Sequence, residues 1–262
     1  MGIECEKSLH AIDQEEFHRI DKAIMRISFD IHNQMGRLLD ERIYQDELAE
    51  RARKVGFNVS REIQIRASFA HFRKDYSMDM LVNHGAIYEL KATEDLTPNH
   101  EQQLINYLLL TNLQHGKLIN FRKSSVESRF VSSRLTRKTR FDYTIEDNTW
   151  DKRQDLLRDT IRALLDEWGS CLDISLYRSA ILHIIKGPTS GVFPVEIHSK
   201  GRVVGTQKMC LLDSSNAWHL STILGDSKYY EIHLRRLINH CSIEKIHWIN
   251  LNHRKITLKS LA

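Results

Sequence analysis

The spacing of apolar residues in the first part of the chain changes from a helical period to a strand period. Five apolar residues recur at three- and four-residue steps and predict a helix from about Glu15 that buries one face. These residues are Phe17, Ile20, Ile24, Ile27 and Ile31. A second helix is predicted from about Asp40 to Val55, with Gly56 directly after its end. Residues 57–65 then alternate as in a strand. Helices and strands in this succession are typical of an α/β domain.

Two apolar stretches, residues 78–82 and 87–91, are predicted to form adjacent strands. The Asn-His-Gly sequence at 83–85 between them is a signal for a tight hairpin turn. Thr97-Pro98 predicts the start of another helix, because threonine caps a helix and proline suits its first position. Two further strands are predicted within residues 117–131.

Both strands of the predicted hairpin carry charged residues inside their apolar runs. Asp79 lies in the first strand, and Glu89 and Lys91 share one face of the second, about 6–7 Å apart. Buried charge is costly unless it is paired or bound to a metal ion. Two carboxylates that converge beside a lysine form an oxygen-rich site suited to Mg²⁺. Lys91 would then orient a water molecule or a phosphate. The alternative is an exposed salt bridge, which contributes little to stability.

The stretches around this hairpin carry further motifs in a consistent order and spacing. They are Gly36 followed by Glu41 and Tyr44, then Glu89-Leu90-Lys91-Ala92, Pro98-x-His100-Glu101-x-Gln103-Leu104-x-Asn106-Tyr107, and Leu118-Ile119-Asn120-Phe121. Together they resemble the GxxExxY family of the PD-(D/E)XK nuclease superfamily, in its RecB-like branch. The resemblance covers roughly residues 20–131. It implies a restriction-endonuclease-like fold, a mixed sheet flanked by helices, over a domain at residues 15–131.

The resemblance also implies roles for three more residues. Glu41 corresponds to the family's additional acidic residue near the metal ion, although a helix-surface carboxylate could instead pair with a lysine or arginine. Gln103 and Tyr107 correspond to a Q-x-x-x-Y element that supports the site or contacts the nucleic-acid backbone; the alternative is an amphipathic helix with one buried tyrosine. The first glycine of the family motif falls on Leu38, and only Gly36 is retained, so the start of the helix that carries Glu41 can differ.

The activity that the resemblance implies is that of a metal-dependent nuclease. Such an enzyme hydrolyses phosphodiester bonds of DNA, or of RNA, and leaves 5′-phosphate and 3′-hydroxyl ends. The resemblance implies that Asp79, Glu89 and the Leu90 carbonyl would hold its Mg²⁺ or Mn²⁺ ion. Nucleic acid, and DNA before RNA, is therefore the expected partner. Two alternatives stay open, a non-catalytic nucleic-acid-binding module and a protein-assembly scaffold on the same fold. Metal-dependent cleavage distinguishes the nuclease from both, and salt-dependent binding to DNA distinguishes the binding module from the scaffold.

The C-terminal half repeats short stretches of the N-terminal half. Two matches lie at an offset of 133 residues: Gly36, Leu39-Asp40 and Tyr44 recur as Gly169, Leu172-Asp173 and Tyr177, and Leu104-Ile105-Asn106 recurs as Leu237-Ile238-Asn239. A third match lies at an offset of 130 residues, where Leu118-Ile119-Asn120-Phe121 recurs as Trp248-Ile249-Asn250-Leu251. We therefore expect residues 159–262 to form a diverged duplicate of the first domain, after a linker over residues 132–158. The two halves would form an intramolecular pseudo-dimer, and the sequence predicts no particular oligomeric state.

The duplicate lacks the candidate catalytic residues. The predicted equivalences are Glu41 with Ile174, Asp79 with a position near Cys210, Glu89 and Lys91 with positions near His219 and Ser221, and Tyr107 with His240. Isoleucine cannot bind Mg²⁺, and a set of cysteine, histidine and serine is not the hard carboxylate site that Mg²⁺ requires. Zinc is disfavoured because these residues have no recognisable ligand spacing. We therefore expect the second domain to be catalytically silent.

Composition adds few constraints. The chain has 262 residues, of which 41% are hydrophobic and 27% are charged, and its formal net charge is +4. This charge permits a nucleic-acid partner. The basic cluster of Arg134, Arg137, Lys138 and Arg140 is interpreted first as a solvated connection, and a contact with phosphate is the alternative. No apolar run is long enough to cross a membrane, so no membrane partner is expected. Four cysteines without a C-x-x-C pair argue against a zinc ribbon or a four-cysteine iron–sulfur cluster. With no secretory signal, they indicate a cytoplasmic location.

Overall fold

The protein folds into two compact units, each built from a mixed β-sheet and flanking helices. The structure is a computed structural model that describes residues 2–187 and 189–262. The first unit comprises residues 2–68 and 74–137, and the second comprises residues 69–73 and 138–262. The predicted fold class, a mixed sheet flanked by helices and present in two copies, is confirmed.

The first unit contains helices on a sheet whose central strands run parallel. Its described helices are α1 (Gln14–Met35), α2 (Glu41–Lys54) and α3 (Pro98–Thr111), and its strands are β1 (Ile3–Cys5), β2 (Val59–Phe69), β3 (Phe72–Val82), β4 (Ala86–Lys91), β5 (His115–Asn120) and β6 (Glu127–Ser132). The strands follow the order β1-β2-β3-β4-β5-β6, with β4 parallel to β5 and antiparallel to β3. Every residue of β4 is buried, as expected for a parallel strand covered on both faces.

Helix α1 begins and ends at residues that supply capping groups. The Asp13 side chain accepts a hydrogen bond of 2.8 Å from the Glu16 N–H, which would otherwise lack a partner within the helix. At the other end, Gly36 adopts a φ of +75°, and its N–H donates to the His32 carbonyl at 2.9 Å. The apolar face predicted from the sequence is buried in the core of the first unit.

The second unit repeats this arrangement. Its described helices are α4 (Arg137–Arg140), α5 (Asp155–Trp168), α6 (Ile174–Ile184) and α7 (Lys228–Ile238), and its strands are β7 (Thr144–Thr149), β8 (Gly191–Ser199), β9 (Arg202–Leu211), β10 (Asn216–Ser221), β11 (Lys245–Asn252) and β12 (Lys255–Leu261). The strands follow the order β7-β12-β11-β10-β9-β8, and β10 is parallel to β11. Strands β8 to β12 therefore correspond to β2 to β6, and helices α5, α6 and α7 correspond to α1, α2 and α3.

The two sheets differ in their sixth strand. In the first unit β1 pairs antiparallel with β2, whereas in the second unit β7 pairs parallel with β12 at the opposite edge of the repeated sheet. The predicted linker over residues 132–158 is therefore wrong, because it contains β7 and the start of α5. Strand β7 is mostly exposed and polar, so it lacks the apolar alternation by which a strand is recognised in a sequence.

Arg140 corrects the expected role of the basic cluster. Its side chain is buried and donates to the Trp168 carbonyl at 3.1 Å, while its own carbonyl accepts hydrogen bonds from the N–H and the hydroxyl of Ser170. Arg140 thus connects α4 to the end of α5, and both interpretations, the solvated connection and the contact with phosphate, are wrong for this residue. Arg134 and Lys138 are exposed. No helix in the described part of the chain is long and apolar enough to span a membrane.

Candidate active site

The hairpin of β3 and β4 positions the charged residues of the first unit. The strands pair at three positions, and the pair furthest from the turn is Met80 opposite Tyr88. The turn residues Asn83 and His84 have φ angles of +48° and +62°, as a tight hairpin turn between twisted strands requires. The predicted hairpin and its turn are confirmed.

Asp79 and Glu89 lie directly beyond the last of these pairs. The Asp79 N–H donates to Glu89 Oε1 at 3.0 Å, and the Leu90 N–H donates to Asp79 Oδ2 at 2.8 Å. Each carboxylate therefore accepts a backbone hydrogen bond from the other strand, where a regular ladder would supply a carbonyl oxygen. These bonds fix one oxygen of each acid and hold the two carboxylates together.

The ammonium group of Lys91 lies where these oxygens converge. Its Nζ is 2.8 Å from the Leu90 carbonyl oxygen and 3.4 Å from both Asp79 Oδ2 and Glu89 Oε2. Glu41 Oε1 is 3.8 Å from the same atom. The Lys91 side chain is only 10% exposed, so its charge is held among oxygens and away from water. The structure brings together the three predicted metal ligands, the predicted lysine and Glu41.

Burial changes the proton affinity of this cluster. Glu89 is fully buried, and burial followed by the charge of Asp79 raises its pKa from 4.5 to about 8, against the opposing effect of Lys91. Burial by itself lowers the pKa of Lys91, but the neighbouring carboxylates, Glu89 foremost, outweigh it and the net shift is upward. Burial also raises the pKa of Glu41, and Lys91 offsets this only in part. The cluster therefore favours a cation at its centre.

Glu41 reaches the cluster because α2 begins at this residue. The Tyr44 hydroxyl donates to the Gly36 carbonyl at 2.8 Å and accepts from the Leu39 N–H at 3.2 Å, which fixes the chain between α1 and α2. Leu38, which stands where the family motif has its first glycine, is 78% exposed, so its side chain does not obstruct this turn. The departure from the motif therefore leaves the position of Glu41 intact.

Gln103 and Tyr107 lie on α3 and bind each other. Gln103 Nε2 donates to the Tyr107 hydroxyl at 2.9 Å, and the Tyr107 ring lies edge-on to Tyr76 at a centroid distance of 6.4 Å. Burial, followed by the charge of Glu89, raises the pKa of Tyr107, so its hydroxyl lies within electrostatic reach of the cluster. Neither side chain hydrogen-bonds to the cluster in the described part of the chain. They flank the cluster and do not complete it.

Asn120 supports the cluster from β5, a role that was not predicted from the sequence. It is fully buried and pairs with Lys91 across the parallel strands. Its Oδ1 accepts from the Thr93 N–H at 3.1 Å, and its Nδ2 donates to the Thr93 carbonyl at 2.7 Å. Asn120 thus holds the chain where it leaves β4, two residues after Lys91. The Ile-Asn sequence repeated in both halves was the signal that could have identified it.

The oxygens around Lys91 are of the kind that bind Mg²⁺ and Mn²⁺. Carboxylates of Asp79 and Glu89 and the Leu90 carbonyl surround one cationic group, and hard oxygens are the preferred ligands of these ions. The residues therefore fit a divalent ion if the ammonium group withdraws from the centre. Among the described residues, no group of three or more His, Cys, Asp or Glu side chains is arranged to hold a metal by itself. Water or phosphate would have to complete the coordination, as is usual for Mg²⁺.

The corresponding site of the second unit has the same helix start and the same tyrosine–glycine hydrogen bond, but it lacks the glutamate at the start of the helix. Helix α6 starts at Ile174 as α2 starts at Glu41, which agrees with the predicted equivalence of these two residues. The Tyr177 hydroxyl donates to the Gly169 carbonyl at 2.5 Å, as the equivalent tyrosine of the first unit does to its glycine.

The strand register identifies the residues that replace the acid and the lysine of β4. Ser221 pairs with Asn250 across the parallel strands of the second unit, just as Lys91 pairs with Asn120 in the first. Ser221 therefore replaces the lysine, and His219, two residues earlier, replaces the glutamate. Both agree with the predicted equivalences.

The residue that replaces Asp79 of β3 in the second unit lies one position before Cys210, the position near which it was predicted. Trp218 pairs with Cys210, and in the first hairpin the corresponding position of β3 is Met80, the residue after the acid. The equivalent of the acid is therefore Met209 and not Cys210. The offset between the two hairpins is constant because neither contains an insertion between the paired residues.

The predicted equivalent of Tyr107 is wrong by almost one helical turn. Helix α7 starts at Lys228, 130 positions after Pro98 starts α3. At that offset the residue in place of Tyr107 is Leu237, and His240 lies beyond the last residue of α7. The repeated Leu-Ile-Asn sequence therefore does not mark equivalent positions.

Comparisons with known proteins identify the first unit alone. Residues 18–132 match the family model of the PD-(D/E)XK nuclease superfamily, so this segment is similar to nucleases of that superfamily. The matched segment is less than half of the chain and contains every residue of the cluster around Lys91. No curated protein and no solved structure matches the chain. The GxxExxY family and the RecB-like branch stay predictions.

Proposed function

We propose that the first unit is a divalent-metal-dependent nuclease that hydrolyses phosphodiester bonds of DNA or RNA. The observation that carries this proposal is the convergence of Asp79, Glu89 and the Leu90 carbonyl on the Lys91 ammonium group, inside the segment that matches PD-(D/E)XK nucleases. A buried cluster of this kind is costly to fold, because two carboxylates and a lysine lose most of their contact with water. A catalytic role explains such a cost better than a structural role does.

Asp79, Glu89 and the Leu90 carbonyl are the residues that would hold Mg²⁺ or Mn²⁺. When bound, such an ion supplies a water molecule of lowered pKa and neutralises negative charge on the phosphate. The acids bind it as carboxylates. Because the pKa of Glu89 is raised to about 8, ion binding at neutral pH displaces a proton from the cluster.

Lys91 is the residue that would act on the substrate directly. Its pKa is raised overall, so it remains a full positive charge at neutral pH. Its three N–H bonds face the Leu90 carbonyl at 2.8 Å and the two carboxylates at 3.4 Å, and with those oxygens on a metal ion they would turn to the attacking water and to a phosphate oxygen. A positive charge beside the phosphate stabilises the negative charge that develops there.

Glu41 and the α3 pair have supporting roles in this proposal. The Glu41 side chain is 36% exposed and lies 3.8 Å from Lys91 Nζ, so it faces both solvent and the cluster. It is suited to orient the water or to accept its proton. Gln103 and Tyr107 would contact the nucleic-acid backbone beside the cluster. The second unit would be catalytically silent, because Met209, His219 and Ser221 stand where the catalytic groups would be.

A non-catalytic nucleic-acid-binding module is the alternative, and one observation favours it. The Lys91 ammonium group lies 3.4 to 3.8 Å from oxygens of all three carboxylates, and ion pairs of this kind are also compatible with a purely structural role. The two functions differ in what metal ions do. Binding alone needs no divalent ion, whereas hydrolysis requires one.

Cleavage of labelled nucleic acid tests the proposal. Purified full-length protein is incubated with single- and double-stranded DNA and RNA in the presence of Mg²⁺, Mn²⁺ or EDTA. We expect cleavage with a divalent ion, none with EDTA, and none for Glu89→Gln, which keeps the shape of the side chain but cannot bear its charge. Glu196→Gln, the same substitution on an exposed strand of the second unit, is the control and should be fully active. Binding without cleavage of any substrate would favour the alternative.

A further inference from the structure

The second unit contains a cavity at the place that corresponds to the candidate active site. Its volume is about 420 Å³, and residues of β8 to β11 and of helices α6 and α7 line it. Strands β9 and β10 pair at only two positions, Ala217 opposite Leu211 and Trp218 opposite Cys210. The cavity lies where the two strands stop pairing, as the cluster around Lys91 does in the first unit.

The cavity is not suited to a divalent ion. Met209 and His219 line it in place of the two acids, and none of its lining residues is a carboxylate. His219 Nε2 and the Tyr230 hydroxyl are 2.7 Å apart, and their rings stack at a centroid distance of 5.7 Å. Burial, followed by the charge of Arg178, lowers the pKa of His219, so the imidazole is neutral at pH 7. The floor of this cavity is therefore neutral where the first unit has carboxylates.

The rim of the cavity is positively charged. Arg178 on α6 and Lys208 on β9 line it and are exposed, and neither forms an ion pair in the described part of the chain. With no carboxylate among the lining residues, both charges are available to a ligand. Guanidinium and ammonium groups placed in this way are typical of phosphate recognition.

The wall of the cavity is mainly apolar. Trp218, Leu220, Leu234 and Ile246 contribute to it, and each is buried in the unit. A volume of this size suits a small organic ligand, and an aromatic ring in such a wall can stack on a planar one. Phosphate at the rim and a planar heterocycle against the wall are the two parts of a nucleotide.

We propose that this cavity binds one nucleotide unit, with its phosphate at Arg178 and Lys208 and its base against the apolar wall. The nucleotide could be free or could be the phosphorylated end of a nucleic-acid strand, since both present the same groups. The inference goes beyond the proposed nuclease, because it assigns a ligand to the unit that lacks the candidate catalytic residues. It requires neither a metal ion nor cleavage.

Calorimetric titration of the full chain in EDTA tests this binding without any contribution from catalysis. The probes are adenosine 5′-monophosphate and two short single-stranded oligonucleotides of one sequence, one with a 5′-phosphate and one with a 5′-hydroxyl. We expect one binding site per chain for at least one phosphorylated probe. Binding of the mononucleotide indicates a free nucleotide as the ligand, and binding of the phosphorylated oligonucleotide alone indicates a strand end.

Variants relate the binding to the cavity. Arg178→Gln should weaken it at least about tenfold, the loss expected for a charge-assisted hydrogen bond. Leu237→Trp, which fills part of the cavity with a bulky indole ring, should abolish the binding. Arg236→Gln, on an exposed position of α7 that does not line the cavity, is the control and should bind as the wild type does. Lys208→Gln is a second rim variant at an exposed position and should also weaken binding.

Two results would overturn the inference. One is the absence of binding by all three probes. The other is binding that Arg178→Gln, Lys208→Gln and Leu237→Trp leave unchanged. Neither result would bear on the nuclease proposal, because cleavage by the first unit is measured separately and requires a divalent ion.

Discussion

The two units share a framework and differ where the first concentrates its charge. In both, a tyrosine hydroxyl binds a glycine carbonyl between two helices, Tyr44 to Gly36 and Tyr177 to Gly169. In the first unit, the neighbouring hairpin and helix start enclose three carboxylates and a lysine. In the second, the equivalent positions hold methionine, histidine, serine and isoleucine. The residues that build this fold are therefore separate from those that form the charged cluster.

The buried asparagine of each unit supports the same conclusion. Asn250 Oδ1 accepts from the Ile223 N–H at 2.7 Å, and its Nδ2 donates to the Ile223 carbonyl at 3.1 Å. Asn120 makes the same two bonds to Thr93 in the first unit. This contact has been kept where the lysine beside it has been replaced by serine. It therefore belongs to the fold and not to the cluster.

The largest expected effect comes from removing the lysine. Lys91→Met should lower metal-dependent cleavage about 10²–10³-fold, because it deletes a fixed positive charge that faces the phosphate. Lys117→Met is a matched control, since Lys117 lies on the neighbouring strand β5, has a largely buried side chain and forms an ion pair at 2.5 Å with Asp21 of α1. It should reduce stability and leave cleavage per folded molecule unchanged. Full turnover by Lys91→Met in a cleavage assay would mean that this role is wrongly assigned.

A second effect distinguishes the units by their response to pH. The pKa of Glu89 is raised from 4.5 to about 8, so the native protein keeps a proton that the unfolded chain releases between these values. Its stabilising contribution is present below about pH 4.5 and is lost as pH rises towards 8, by a few kcal/mol at about 1.4 kcal/mol for each pKa unit. Urea unfolding in EDTA should therefore show a falling free energy of unfolding across this range.

Glu89→Gln should flatten that fall, because glutamine cannot ionise. His219→Gln, at the equivalent position of the second unit, should not flatten it in this way. Identical pH profiles for the wild type and Glu89→Gln would contradict the raised pKa of Glu89 in the folded protein.

A third and smaller effect concerns the shared framework. Tyr44→Phe and Tyr177→Phe each remove one hydrogen bond to a glycine carbonyl and should each cost about 1 kcal/mol in the free energy of unfolding. Only Tyr44→Phe should also lower cleavage, because the turn that it fixes leads to Glu41. Urea unfolding and the cleavage assay measure the two effects. A loss of cleavage in Tyr177→Phe would show that the second unit is not silent.

The smallest effect is expected from single surface charges. If Arg134 contacts phosphate, Arg134→Gln should reduce the slope of log binding constant against log salt by about 1, with little change in sequence preference. Arg140→Gln should instead reduce stability and leave that slope unchanged, since Arg140 is buried against Trp168. Filter binding at several salt concentrations provides the slopes. Equal slopes for the wild type and Arg134→Gln would remove Arg134 from the interface.

The β3–β4 hairpin could be predicted because its signals are local. Alternating side chains, a turn sequence and charges inside apolar runs are enough to bring Asp79, Glu89 and Lys91 together. The duplication could also be predicted, because Tyr177 and Asn250 make backbone contacts that constrain their identity and spacing. A side chain that contacts the backbone is therefore easier to identify from the sequence than one that would bind a ligand.

Each of the errors has its own physical cause. Strand β7 is an exposed edge strand, and β1 is only three residues long, so neither has a buried face to impose an apolar pattern. The helix match that paired Tyr107 with His240 was short, and apolar residues recur on a helix every three or four positions, so a shift of three residues still aligned them. The cavity of the second unit could not be predicted, because its shape depends on where β9 and β10 stop pairing.

Calorimetric titration of Mn²⁺ into the metal-free protein tests the central difference between the units most directly. The wild type, Glu89→Gln and His219→Gln are compared at neutral pH. We predict one Mn²⁺ site per chain in the wild type and in His219→Gln, and its loss in Glu89→Gln. Equal binding by all three proteins, or a second site lost in His219→Gln, would contradict the assignment of the metal chemistry to the first unit alone.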